Sequence, residues 1–181
     1  MADPAPPAAT VVVANEQSAV EIHEAMVARL ATEVLTALGV HGVSELSVVF
    51  VDAETIASLN ARYRGRVGPT DVLSFAIDDV GDDASEHRPS TASGLPTLLG
   101  DVVICPEVAR TNAPEHRGDR GHDGSVGDEV ALLLIHGILH IRGWDHEADE
   151  DAERMEAEEA ALLERYRALR GEVGAEVASE R

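Results

Sequence analysis

Apolar and polar positions alternate along this chain with two periods, and the switches between them lay out its elements. Val11-Val12-Val13-Ala14 is a short apolar run of strand type. Ile22, Met26, Leu30, Val34, Leu35 and Leu38 then recur at helical spacing. Ser18 and Glu21 read as a capping box at the start of that helix, and Gly39 as its stop. Leu46 to Val51 is β-rich, and Asp52 suits the N-cap of a second helix reaching about Arg62. Glycine and proline mark Arg64 to Pro69 as a loop, after which Asp71 to Ile77 returns to strand character. Leu99 to Cys105 reads as a fourth strand, with Pro106 opening a short helix.

The second half is helical in pattern. Val130 to Ile135 is apolar on every side, as expected of a helix buried at the centre of a fold. A strongly charged final helix runs from about Glu147 to Arg170, with Met155, Leu162, Leu163, Tyr166 and Leu169 on its inward face. Residues 78–97 and 114–127 lack periodicity and read as surface loops. Within the second, His116 and His122 near Asp119 and Asp123 are read as solvated rather than as a metal site. Strands and helices do not alternate regularly. The expected class is therefore α+β: a small mixed four-stranded sheet, about five helices mainly on one side, and the chemistry on the buried central helix. Residues 1–10 read as a disordered tail, 11–170 as a single domain and 171–181 as a frayed end.

Composition narrows the function classes. The formal charge is −20, and all 14 basic residues are arginine. Such a surface disfavours nonspecific binding to nucleic acid, so any such affinity should be weak and depend little on salt. Charge is unevenly placed, however: Arg62, Arg64 and Arg66 cluster, whereas residues 145–164 are rich in carboxylates. No apolar run reaches membrane-spanning length, and the N-terminal residues lack the pattern of a signal peptide. With the single Cys105, read as a small core residue, a cytoplasmic location is expected.

The candidate chemistry lies in residues 136–146. His136 and His140 fall on one face of the central helix, one turn apart. Gly143 offers a left-handed helix end, past which His146 can fold back towards them. Three imidazoles with an open fourth position make a catalytic type of zinc site, although nickel, copper and iron also suit them. Metallopeptidases with His-x-x-x-His carry a glutamate base after the first histidine, where this chain has Gly137.

The run His136-Gly137-Ile138-Leu139-His140-Ile141-Arg142-Gly143-Trp144-Asp145-His146 closely resembles the histidine motif of the YbeY family of bacterial endoribonucleases. Asn60 to Gly65 followed by Pro69 to Phe75, and Leu99 to Cys105, resemble two further blocks of that family, in the family's order. Trp144 stands where tyrosine is usual and Ala76 where proline often follows, and the two loops look longer than the family needs.

The resemblance implies a metal-dependent, single-strand-specific endoribonuclease acting in 3′-end maturation of 16S rRNA and in ribosome quality control. It implies an α+β fold, His136, His140 and His146 on one divalent ion (Zn2+ expected), and the functional arginine at Arg64. Single-stranded rRNA precursor and the small ribosomal subunit or its proteins are the implied partners. The residues add that Arg62 and Arg66 are candidate RNA contacts. Asp145 either orients a ligand histidine or only begins the last helix, while Thr70 and Asp71 are expected to cap and orient their loop. Ser74, beside Asp71, lacks a third partner and is not expected to be a nucleophile. Two other readings stand beside this one: a zinc-dependent metallopeptidase, and a non-catalytic ribosome-biogenesis factor with a structural metal.

Overall fold

The computed structural model describes residues 9–40, 42–77, 96–146 and 148–179, without the side chains of 172–179. Four strands form one sheet, β1 (Thr10–Asn15), β2 (Ser44–Phe50), β3 (Val72–Ala76) and β4 (Thr97–Ile104), in the order β1-β2-β4-β3. β1 and β2 pair in parallel, as do β2 and β4, while β3 runs antiparallel to β4. The helices are α1 (Glu24–Ala37), α2 (Ala53–Arg64), α3 (Pro106–Asn112), α4 (Val126–Ile141) and α5 (Asp149–Ser179). This is the expected α+β architecture with a mixed sheet.

Strand alternation splits the sheet into two unequal faces. On β2, Ser44, Leu46, Val48 and Phe50 are buried while the residues between them are half-buried. The buried set joins Val102 and Ile104 of β4 and the apolar faces of α1, α4 and α5 in the main core. A smaller cluster on the opposite face gathers Val51, Ile56, Leu73, Val103 and Cys105 under α2. Cys105 is fully buried there, a small apolar residue as its neighbours suggest.

Several boundaries differ from the pattern reading. α1 begins at Glu24, not beside Ser18, because Gln17 claims the intervening turn. Its Oε1 accepts from Val20 N–H at 3.0 Å, and its Nε2 donates to Val20 O at 2.8 Å. Asp52 does cap α2, accepting from Thr55 N–H at 2.8 Å. The helix carries through Arg64, however, and ends on Gly65 in the left-handed region at φ 63°. Arg64 is therefore a last-turn helical residue and not part of a loop. β1 already includes Thr10 and follows the buried Ala9, while α5 continues to Ser179 past the last inward apolar residue. Of the two loops, 78–95 lies outside the described residues, as do the tail residues 1–8.

The second loop is the main correction. Among residues 114–125, His122 is 2 % exposed, and a short 3-10 turn spans Asp119–Gly121. His122 Nδ1 accepts from Gly124 N–H at 2.8 Å, which leaves the proton on Nε2, facing buried Glu129 Oε2 at 3.1 Å. His116 Nδ1 lies 2.8 Å from the same carboxylate. Composition suggested a solvated loop because glycine and charge dominate it. Glu129 and Asp128, both fully buried at the start of α4, pull it inward by demanding partners.

Candidate three-histidine metal centre

α4 positions the site. Ser125 caps it by accepting from Asp128 N–H at 3.2 Å, and its residues are buried on nearly all sides between the sheet and the other helices. Gly137 sets how closely it approaches the sheet. A Cβ at that position would stand 2.7 Å from Val102 Cγ1, so any side chain there would crowd β4. The glutamate a metallopeptidase would carry at that position would meet the same crowding.

The helix ends as its sequence suggests. Gly143 adopts φ 80°, its N–H bonds His140 O at 3.0 Å, and Trp144 N–H bonds Leu139 O at 3.0 Å. This reversal brings His146 back over the helix end. Its ring centroid lies 5.8 Å from that of His136 and 5.1 Å from that of His140. One nitrogen from each of the three rings falls within 4.8 Å of the others, a set that could hold a metal ion.

The outer nitrogens of the two helical histidines are anchored. His136 Nδ1 lies 2.8 Å from Glu159 Oε1, and His140 Nδ1 lies 3.0 Å from Trp144 O. Both acceptors require the proton on Nδ1, so in the neutral rings that a metal needs both Nε2 atoms carry lone pairs. Those two Nε2 atoms face each other at 3.0 Å. Two lone pairs at that distance repel unless a cation or a shared proton stands between them. Two nitrogens on a tetrahedral zinc ion sit about 3.3 Å apart, so the His136–His140 pair fits such an ion with little movement. Burial, and then the neighbouring His136, hold the His140 pKa below its ordinary value, which favours the neutral ring a metal needs.

Glu159 is the residue that sequence reasoning missed. It lies on α5 and is 4 % exposed although acidic residues surround it in sequence. The only available signal was position, since residues three, four and seven apart share a helix face with Met155, Leu162, Leu163 and Tyr166. The Asp145 carboxylate accepts from the backbone N–H of His146 at 2.7 Å. Asp71 Oδ1 accepts from Val72 N–H at 2.9 Å and from Thr70 Oγ1 at 3.1 Å, while its Oδ2 accepts from Asn112 Nδ2 at 3.2 Å. Those bonds fit an orienting role for Thr70 and Asp71.

His136 and His146 open on a cavity of about 260 Å³ that also reaches Asp71, His116, Arg120 and Glu159. Arg64 is not among its lining residues. Arg62, Arg64 and Arg66 are exposed at the end of α2, where Tyr63 packs edge-on against Phe75 at 5.0 Å between ring centroids. The segment 65–70 joins that corner to Asp71 at the cavity. Ser74 sits in β3 opposite Val102.

A second set of possible ligands, His122, Asp123 and Asp128, is already served by cations. Arg167 and Arg170 both pair with Asp128, and Arg170 also pairs with Asp123. Guanidinium groups already compensate the charge of both carboxylates.

Comparison with known proteins decides which histidine-centre family this is. The family model described as Endoribonuclease YbeY matches residues 12–167. The chain belongs to the YbeY endoribonuclease family. The YbeY protein of Salinispora tropica is 40 % identical over 158 residues, covering 87 % of this chain and 96 % of that one. The YbeY protein of Thermobifida fusca is 44 % identical over 161 residues, covering 88 % and 96 %. A solution structure of a Thermotoga maritima protein shares the fold with a TM-score of 0.58 at 23 % identity, over 92 % of this chain and 95 % of that one. YbeY endoribonucleases are hydrolases that act on RNA, and this chain is one of them. No helix among the described residues is long and apolar enough to cross a membrane.

Proposed function

We propose that this chain is a metal-dependent, single-strand-specific endoribonuclease that matures the 3′ end of 16S rRNA and takes part in ribosome quality control. His136, His140 and His146 hold one divalent ion, for which zinc is the best match to three imidazoles. The observation that supports this most is the convergence of three ring nitrogens beside a polar cavity, with glycine at 137 where a peptidase carries its base. A divalent ion held there supplies Lewis acidity towards a phosphoryl oxygen and eases deprotonation of water.

The protein's own groups supply orientation and charge. Arg64 meets non-bridging phosphate oxygens with its planar fork and stabilises the charge that grows on them as the phosphodiester is attacked. Arg62 and Arg66 contact the RNA backbone on either side and position it. Because the molecule carries −20 overall, these few arginines give weak, salt-insensitive RNA affinity. Recruitment then depends on the small ribosomal subunit or its proteins, in the cytoplasm. The functional unit is a single domain spanning residues 11–170.

The test compares wild type with Arg64→Lys and Arg64→Ala on a single-stranded 16S 3′ precursor, with metal content measured in parallel. Both variants should keep the metal, and Arg64→Ala should lose roughly a hundredfold or more in kcat, the scale of one lost transition-state donor. Lysine should restore only part, since it lacks the fork. Full activity in Arg64→Ala would overturn the role of Arg64. Absence of RNA cleavage in metal-loaded wild type would overturn the function.

A further inference from the structure

Glu159 and Arg120 lie outside the histidine motif, yet they join a separate part of the chain to one of its rings. Glu159 Oε1 lies 2.8 Å from His136 Nδ1, and Arg120 Nε stands 2.8 Å from Glu159 Oε2. The Glu159 side chain is 5 % exposed, unlike that of Glu156, which is 57 % exposed and pairs with the same arginine through Nη2 at 2.8 Å. A carboxylate buried to that degree needs compensating partners. Here it has one ligand histidine and one guanidinium.

Arg120 is held in place at a conformational cost. Among the described residues it alone combines a side chain beyond Cβ with positive φ, at φ 47° and ψ 27°. Such strain persists only where the surroundings fix it, and it gathers at functional sites. The surroundings here are specific. Gly118 N–H bonds His122 O at 2.8 Å, and His122 is itself buried against Glu129. The turn is thus anchored on α4 at one end and reaches α5 through Arg120 at its tip.

We propose that Glu159, held by Arg120, is a positioning residue of the metal centre. Glu159 fixes the His136 ring with its proton on Nδ1 and its Nε2 lone pair directed to the ion. Arg120 keeps the carboxylate in that place, so the turn at residues 118–122 is part of the centre. This rests on the reading that the three histidines hold a divalent ion. It does not depend on what the ion then does to RNA.

The experiment measures Zn2+ affinity of the full chain by competition with a chromophoric chelator, for wild type, Glu159→Ala, Glu159→Gln, Arg120→Gln and Glu156→Gln. Glu159→Ala should weaken binding by roughly 10- to 100-fold, the usual effect of removing a ligand's orienting partner. Glu159→Gln should recover part of the loss, because its amide oxygen still accepts from Nδ1. Arg120→Gln should fall between wild type and Glu159→Ala, and Glu156→Gln should match wild type. The visible bands of the Co2+-loaded protein should shift in Glu159→Ala, a change that a purely structural role would not produce. Wild-type affinity and an unshifted Co2+ spectrum in folded Glu159→Ala would overturn the proposal. If that variant does not fold, wild-type affinity in both Glu159→Gln and Arg120→Gln would do the same. Wild type that binds neither Zn2+ nor Co2+ would instead remove the metal reading, and this proposal with it.

Discussion

Alanine at Gly137 should be harmful in the native background and helpful once Val102 is trimmed, and this reversal of sign tests how α4 is seated on the sheet. The new Cβ would stand 2.7 Å from Val102 Cγ1 and 3.2 Å from Cγ2, against an ordinary carbon contact of about 3.5–4.0 Å. Overpacking of that kind costs about 1–3 kcal/mol. Helix propensity works the other way, since alanine gains about 1 kcal/mol over glycine in a helix interior. The net effect of Gly137→Ala is therefore a loss of about 1 kcal/mol. Val102→Ala removes both γ carbons, and the remaining Cβ is 3.6 Å from the new atom, an ordinary contact. In that background Gly137→Ala should stabilise by about 1 kcal/mol, its propensity gain alone. Propensity is common to both backgrounds and cancels in the double-mutant cycle, leaving a coupling of about 1–3 kcal/mol. Urea unfolding of all four proteins in chelator, so that metal binding does not enter, measures it. Effects equal in the two backgrounds to within about 0.5 kcal/mol would refute the close approach of α4 to β4.

Three further outcomes follow from the same geometry. Burial and His136 keep His140 below its ordinary value of 6.5, so the metal-free fold should be most stable above that pH. Stability should fall as pH drops from there through the lower folded value, and the fall should shrink in His140→Gln when unfolding is followed across pH 4 to 8, roughly the span in which histidine titrates. Glu129→Ala removes the acceptor facing His122 and His116 and should cost about 1–3 kcal/mol, with faster amide exchange at residues 118–124 than elsewhere. Gly143 sits at φ 80° with nothing within 4 Å of its would-be Cβ, so Gly143→Ala should cost about 1–2 kcal/mol through backbone strain alone. Because that turn brings Trp144 O to His140, Zn2+ affinity measured by chelator competition should fall in the same variant.

The sequence by itself determined the features whose cause is local. Two histidines four apart on an apolar helix must share a face, and a glycine in the left-handed region must reverse the chain, so His136, His140 and His146 were legible as a set. Strand periodicity likewise revealed the four strands, and Asp52 its helix cap, because each depends on neighbours within a few residues. Some local competition went the other way: Gln17 claimed the turn where Ser18 and Glu21 had the better capping pattern. What only the tertiary structure decided depends on partners far apart in the chain. Glycine at 137 is demanded by Val102 on a neighbouring strand, not by the helix. His122 is buried against Glu129 of α4, despite a local composition that reads as solvated. Glu159 reaches His136 across 23 residues and is held by Arg120 from a third segment. A buried carboxylate must find its partners wherever packing supplies them; spacing along α5 places Glu159 on the inward face, but not which residues it meets there.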